Sequence, residues 1–433
     1  MKQTFKKIVT TIITAEAKLV LKKYKPHVVA ITGSVGKTST KDAVYTVFSS
    51  KFSTRKSDKS FNSEIGIPLT ILGCPNGWNN AWLWIKNIFY GFSLIIFKRK
   101  YPEWLVLEVG ADRPGDIEKV SKWLQSDSVV FTRFGEVPVH VEYFNSREEV
   151  VLEKSYLINS LKKEGTLILN ADDEDVFNLS EKAKTKVMTY GEKERADVVA
   201  SHYSVLYTEK NGVTLPSGIA FKIDAMGSSA PVTIDGVLGQ AHVYPLLGAA
   251  TAGLSQNINL VEITSSFAHH QPPIGRMNII EGNRNSVIID DTYNSSPVAL
   301  NEALETLKSL NKSHYKIAVL GDMLELGKFT TEEHKKAGKK VADIADILVT
   351  VGLRSQSIAE GALDAGMSEK NIFQFENSRE AGKFVDSILE AGDIVLVKGS
   401  QGTRMEKTVE EIMAHPEDRE KLLVRQDPDW KKR

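Results

Sequence analysis

Apolar residues recur along this chain in two rhythms, and the alternation between them predicts most of its architecture. Predominantly apolar runs of four or five residues fall at Val28-Val29-Ala30-Ile31, Trp104-Leu105-Val106-Leu107, Ser128-Val129-Val130-Phe131-Thr132 and Thr166-Leu167-Ile168-Leu169-Asn170. Such runs fit strands buried on both faces of a parallel sheet. Between them, residues 38–50 and 147–161 carry the three-to-four spacing of helices. From about Ala196 to Val237 the rhythm shortens into alternating runs such as Gly218-Ile219-Ala220-Phe221-Lys222-Ile223, which predict antiparallel strands appended to the first sheet. A helix is expected over 244–254. Pro272-Pro273 marks a boundary, because paired prolines fit neither a helix nor a sheet interior. Beyond it a second α/β alternation runs through 286–290, 316–320, 347–351 and 393–397. The expected fold is therefore α/β: a phosphate-loop type parallel sheet with a small antiparallel appendage, followed by a Rossmann-like α/β domain. The expected boundaries are a basic amphipathic helix at 1–26, a central domain at 27–270 and a C-terminal domain at 271–433. The charged stretch from Pro416 to Arg433 is expected to fray.

Two segments do not fit this alternation. In residues 1–26, Phe5, Ile8, Val9, Ile12 and Ile13 recur at helical spacing among seven lysines, and no small-residue cleavage site follows. Trp82 to Phe97 is rich in aromatics, is interrupted by Lys86 and Asn87, and runs into Lys98-Arg99-Lys100, so it is too short to span a bilayer comfortably. Residues 1–25 and 82–100 fit either helices packed on the protein's own core or a peripheral contact with an anionic membrane.

Charge narrows the classes of partner. The 433 residues hold 55 Lys plus Arg against 55 Asp plus Glu, so no basic excess points to nucleic acid. The single Cys74 excludes an intrachain disulfide and a cysteine-built zinc site, and a reducing, cytoplasmic setting is expected. Small-molecule substrates and a monomer are the expected state.

Chemistry concentrates where the first apolar run breaks. Thr32-Gly33-Ser34-Val35-Gly36-Lys37-Thr38-Ser39 opens a helix with a small-residue loop whose N–H groups can converge on an anion; Lys37 adds a point charge and Thr38 a hydroxyl for Mg²⁺. The full phosphate-loop pattern would place glycine at Ile31, so only its second half is present. Glu108 ends a buried run, where a carboxylate needs a partner or a cation. His140 follows the strand at 128–132 and projects from the same edge.

These pieces, together with Asn62-Ser63-Glu64-Ile65-Gly66-Ile67-Pro68, Asp290-Asp291-Thr292-Tyr293-Asn294, Gly321-Asp322-Met323-Leu324-Glu325-Leu326-Gly327 and Val397-Lys398-Gly399-Ser400, resemble the Mur ligase family. The likeness runs in order from about residue 27 to 412 and is greatest to the branch that joins D-alanyl-D-alanine to a UDP-muramoyl tripeptide. It implies an ATP- and Mg²⁺-dependent ligase of peptidoglycan precursor synthesis working through an acyl phosphate. A muramoyl peptide would supply the carboxylate, and D-Ala-D-Ala or another amine the nucleophile. The resemblance implies that Gly33 to Ser39 hold the phosphates, with Lys37 catalytic. It implies that Thr38, Glu108, His140 and a carbamylated Lys154, fourteen residues after His140, hold metal. Arg276, Asp291, Tyr293 and Asn294 would serve the nucleotide from a C-terminal domain that closes over it. Asp322, His334 and Lys398 are weaker candidates for the amine pocket.

Two departures from the family bear on substrate. The phosphate loop follows only the basic helix, where relatives place a domain that grips UDP, so recognition through that domain is not expected. At Leu238-Gly239-Gln240-Ala241-His242-Val243-Tyr244-Pro245 the family has Gly-x-His-Asn-x-x-Asn, and His242 is a candidate to replace the missing asparagine contact. The rival expectations are a ligase or amidase-partner subunit acting on a lipid-linked or other non-UDP carboxylate, and a non-catalytic nucleotide-binding module.

Overall fold

The computed structural model describes residues 3–58, 61–78, 80–134, 144, 146–311, 314–427 and 430, with side chains from Lys7 onward. By its internal contacts the chain forms two units: residues 1–201, 222–232 and 243–271, and residues 202–221, 233–242 and 272–433.

The first unit is built on parallel strands at the places where the apolar runs lack polar alternation. Among the described residues, β1 (His27–Thr32), β2 (Thr54–Lys56), β3 (Trp104–Glu108), β4 (Ser126–Phe131), β5 (Leu161–Asn170) and β6 (Lys186–Gly191) lie in the order β2-β3-β1-β4-β5-β6, all parallel. Three further strands follow in the strand order, β7 (Val198–Lys210), β8 (Val213–Ala225) and β9 (Ser228–Asp235), of which residues 202–221 and 233–235 are counted with the second unit. Both connections are two-residue turns, Asn211-Gly212 and Met226-Gly227, whose residues all have φ between 51° and 76°. Two consecutive positive φ values match the right-handed twist of a hairpin, which is why this stretch turns tightly.

Helices α1 (Gln3–Tyr24), α2 (Lys37–Ser49), α3 (Gly66–Leu72), α4 (Ala81–Ile96), α5 (Asp116–Ser121), α6 (Arg147–Ser155), α7 (Glu174–Phe177) and α8 (Val243–Ser255) belong to this unit. The helix expected over 147–161 stops at Ser155, passes through a 3₁₀ turn over Tyr156–Ser160 and becomes β5 at Leu161. The N-terminal helix packs on the unit's own core, one of the two alternatives its pattern left open. Val9, Ile13, Ala17 and Val20 form a stripe at most 4 % exposed that joins the core of the unit. Helical spacing brings these residues to one face, and burial of each large one contributes about 1.5–3 kcal/mol. Beside that stripe, Glu16 meets Gly91 of α4 so closely that a Cβ there would lie 2.4 Å from Oε2. Burial pushes the Glu16 carboxyl up to about 7.

In the second unit β10 (Asn278–Gly282) and β11 (Ser286–Asp291) form an antiparallel hairpin. The rest of its sheet is parallel: β12 (Lys316–Gly321), β13 (Ile347–Val351), β14 (Ile372–Phe375) and β15 (Ile394–Lys398), in the order β10-β11-β15-β12-β13-β14. The C-terminal stretch is a further correction. Its charged composition predicted fraying, but Leu423 and Val424 are buried, and Arg425 donates to Thr292 O at 3.0 Å, to Tyr293 O, and to Glu406 at 2.9 Å. A tail is fixed when its backbone and its one buried charge both find partners, and composition does not report that.

Removing the Arg425 charge leaves Glu406, itself 1 % exposed, without one of its two cations. Arg425→Leu is therefore expected to destabilise the protein by about 3 kcal/mol, read as a lowered urea midpoint; an unchanged midpoint would mean that the tail contributes nothing.

Candidate active site

The loop after β1 turns where only glycine fits. Gly33 has φ 147°, and a Cβ on it would stand 1.9 Å from Thr132 Oγ1. That hydroxyl donates at 2.7 Å to Val35 O, which ties the loop to the end of β4. The amides of Ser34 and Val35 donate to Arg133 O at 2.7 and 3.1 Å. These two N–H groups are thus engaged inside the protein. The donors this loop leaves available to an anion are the first-turn amides of α2, which begins after Gly36 at φ 85° and has no intrahelical acceptors for them. Ile31, where a full phosphate-loop motif would have glycine, is a fully buried residue of β1 paired with Glu108. Lys37 folds back over the loop, with Nζ 2.8 Å from Gly33 O and 3.3 Å from Ser34 O.

Glu108 closes the other side of the site. It ends β3 at 3 % exposure, and its Oε2 accepts from Thr38 Oγ1 at 3.0 Å while its Oε1 accepts from Asn62 Nδ2 at 3.2 Å. Among the described residues no Lys, Arg or His forms an ion pair with it. A buried carboxylate held by a hydroxyl and an amide, with no cation, has the oxygen-rich character a hard divalent ion requires. Thr38 and Glu108 therefore fit Mg²⁺. The Asn62 motif alone does not single out this contact. Its position follows from Gly110, whose amide donates to Asn62 O at 2.8 Å.

Lys154 is buried at 6 % exposure, although its pattern on α6 reads as a surface lysine. Burial, and next the nearby Lys37 charge, lower its ammonium to about 7. Its neighbour Glu153 holds this end of α6 in place. The Glu153 carboxylate accepts from the amides of Gly115 at 2.8 Å and Ile117 at 2.7 Å, closing the start of α5. Sequence reasoning missed Glu153, Thr132 and Arg133, and no local spacing distinguishes them. His140 lies outside the described residues.

In the second unit the Arg276 guanidinium stacks 4.3 Å over the Tyr293 ring, and the Tyr293 amide donates to Gly275 O at 3.0 Å. Gly275 has φ 71°, and a Cβ there would lie 3.1 Å from that amide nitrogen. Asp291 pairs with Lys398 Nζ at 2.5 Å, and the same ammonium donates to Asn294 O at 3.0 Å. Lys398, 1 % exposed, thus orders the loop that carries Asp291 and Asn294 and is not open to an amine substrate. Next to it Asp290 is fully buried, and burial raises its carboxyl to about 7.

His334 is likewise internal: its Nδ1 lies 2.6 Å from Thr330 O, and its Nε2 accepts from the Met323 amide at 2.9 Å. Asp322 accepts from the Ser355 amide at 2.8 Å. His242 Nε2 sits 2.8 Å from Arg276 O, and burial drops its pKa to about 4, so the neutral ring holds the backbone of Arg276.

Comparison with known proteins agrees with this geometry. The family model described as the Mur ligase middle domain matches residues 31–83 and 87–253, and that of the Mur ligase glutamate ligase domain matches residues 275–401. The chain is 28 % identical over 401 residues to the UDP-N-acetylmuramoyl-tripeptide–D-alanyl-D-alanine ligase of Bacillus subtilis, covering 92 % of this chain and 79 % of that protein. Its fold is similar to that of MurF from Acinetobacter baumannii, at TM-score 0.74 and 24 % identity, over 92 % of this chain and 79 % of that one. It is also similar to MurF from Thermotoga maritima in complex with ADP, at TM-score 0.73 and 24 % identity, over 95 % and 84 %. With both halves matched and the phosphate loop, the buried strand-end glutamate and the Arg276–Tyr293 stack in place, the chain belongs to the Mur ligase family.

Proposed function

We propose that this protein is an ATP-dependent amide ligase of peptidoglycan precursor synthesis, joining D-alanyl-D-alanine to a muramoyl tripeptide. The observation that carries the reading is the buried Glu108, bonded to Thr38 and Asn62 beside Lys37 and lacking a cation partner among the described residues. In the reaction, a substrate carboxylate oxygen attacks the γ-phosphorus of ATP; the bond to the β-phosphate oxygen breaks and ADP leaves. The incoming amine then attacks the acyl phosphate carbon, loses a proton and expels phosphate as the amide forms.

The residues do this work by charge and position. Lys37 exchanges the loop carbonyls for phosphate oxygens and offsets charge developing on the transferred group, and the α2 amides hold the phosphates. Thr38 and Glu108 would hold Mg²⁺, which supplies electrostatic stabilisation of the phosphates. Lys154, already depressed to about 7, has a neutral amine available to take up CO₂. The amine nitrogen bonds to the CO₂ carbon as one C–O π bond opens, one proton leaves, and the neutral amine becomes an anionic carbamate that would serve a second metal together with His140 in this reading. Arg276, Asp291, Tyr293 and Asn294 are the nucleotide contacts of the second unit in this reading. The enzyme is a cytoplasmic monomer with a peripheral membrane contact through residues 1–25 and 82–100. A second reading, a ligase or amidase-partner subunit for a lipid-linked acceptor, is favoured by the apolar outer face of α4, where Trp82 and Phe89 are 80 % and 70 % exposed.

With ATP, Mg²⁺, UDP-muramoyl tripeptide and D-Ala-D-Ala, ADP formation should require both the acceptor and the amine; turnover only with a lipid-linked acceptor would replace the first reading by the second. Lys37→Ala should lower kcat by about 10²–10³, and an unaffected kcat would remove Lys37 from the chemistry. Because burial holds the Lys154 ammonium down at about 7, its amine is mostly neutral at pH 8 and mostly protonated at pH 6. The ¹³C carbamate signal formed from labelled bicarbonate, followed by carbon NMR, should therefore be strong at pH 8, fall at pH 6 and vanish in Lys154→Met. A signal that persists in that variant would place the carbamate elsewhere.

A further inference from the structure

α4 is apolar on both sides, and its packing explains only one of them. Trp84, Asn87, Gly91 and Leu94 face the unit's interior. On the opposite side Trp82, Ile85, Phe89, Phe92 and Ile96 recur at spacings of three and four, and each is at least 42 % exposed. An α-helix turns 100° per residue, so these five form one stripe about 20 Å long. A helix that is apolar all round is ordinarily buried all round. No described helix is long and apolar enough to cross a membrane, so this stripe does not belong to a spanning segment.

α1 packs alongside α4 with the C-terminal ends of the two helices together. Lys23 Nζ donates to the carbonyls of Leu94, Ile95 and Phe97 at 2.7–2.9 Å, and the Tyr24 hydroxyl to those of Leu94 and Phe97 at 3.1 Å. Ile8, Ile12 and Leu19 of α1 are exposed as well.

Charge selects the occupant. Lys98, Arg99 and Lys100 directly follow the stripe, Lys22 lies in the last turn of the neighbouring helix and Lys25 just beyond it; all five are exposed. Among the described side chains of α1, α4 and residues 97–101, the only acid is Glu16, and it is buried, so no exposed carboxylate offsets these cations there. The whole chain is neutral, so this cationic excess is local. A second copy docked on the same stripe would bring like charges together. Aromatic and aliphatic side chains lying in a plane with a basic margin match the interface of a bilayer that contains anionic lipid.

We infer that the outer face of α4, extended by α1 and bounded by Lys98-Arg99-Lys100, is a docking surface for an anionic lipid bilayer, on which the helix lies in the plane of the interface. This sharpens the peripheral contact named above and is independent of the ligase chemistry, because vesicle binding is read without turnover.

The test uses the full chain and vesicles of phosphatidylcholine, either alone or with about one-third phosphatidylglycerol. Co-flotation should be at least about tenfold stronger with the anionic vesicles and should weaken as salt is raised. Phe89→Ser with Phe92→Ser, and separately Lys98→Gln with Arg99→Gln and Lys100→Gln, should each reduce binding at least about tenfold. Because these side chains are exposed, the urea midpoint and vesicle-free ADP formation should not change, which separates lost docking from lost folding. Failure to bind either vesicle, equal binding to both, or binding indifferent to the serine pair would overturn the inference. So would a dimer in light scattering that the serine pair converts to a monomer, since the stripe would then be covered by a second copy.

Discussion

Burying the carboxylate of Glu108 at the end of a strand is the constraint around which the first unit's site is arranged. An ionised group 3 % exposed between apolar neighbours is costly unless its oxygens are occupied. Here they are taken by a hydroxyl from the helix after β1 and an amide from the segment before α3. Three separate parts of the chain must therefore meet at one point. Parallel pairing of β1 with β3 brings Ile31 opposite Glu108, so the loop starts at Gly33, two residues beyond the carboxylate's level. The close approach of Gly33 to Thr132 then fixes the direction in which the loop leaves the sheet.

The second unit solves a similar problem with ion pairs. Asp291 is paired with a lysine 1 % exposed, while the backbone of Thr292 and Tyr293 is held by Arg425, itself paired with Glu406. Buried pairs of this kind are weak evidence of stability but define geometry, because displacing either partner leaves a charge stranded. The loop that carries Asp291, Tyr293 and Asn294 is therefore ordered by the protein's own contacts, and an ordered loop loses less entropy on binding any ligand.

Much of this was legible in the sequence, for reasons that differ by element. β1, β3, β12 and β13 were visible because strands covered on both faces have no polar positions. β2 was not, since three half-buried residues, Thr54–Lys56, carry no period. β10 was missed because it is an antiparallel edge strand in which Asn278 and Glu281 interrupt the apolar positions. At the site, Lys37 and Thr38 sit in a local motif and Glu108 contradicts its own apolar run, so each announces itself. Lys154 does not: a lysine on a polar helix reads as exposed, and only tertiary packing, which leaves no local spacing, removes it from water. The amides of Ser34 and Val35 show the converse case, where a motif suggested free donors and the neighbouring strand had already engaged them.

The position of Lys37 has a consequence for energetics. Its ammonium is satisfied by carbonyls of its own loop. Arrival of a phosphate is thus a substitution of one set of hydrogen bonds for another, and the net gain is the difference between a charge-assisted contact and a neutral one. A site built this way holds its cation in readiness without a large penalty when empty. In the proposed reaction, a diphosphate leaving such a site would hand the ammonium back to the loop carbonyls rather than to water, so the same two carbonyls that hold the cation at rest would also lower the cost of letting product go.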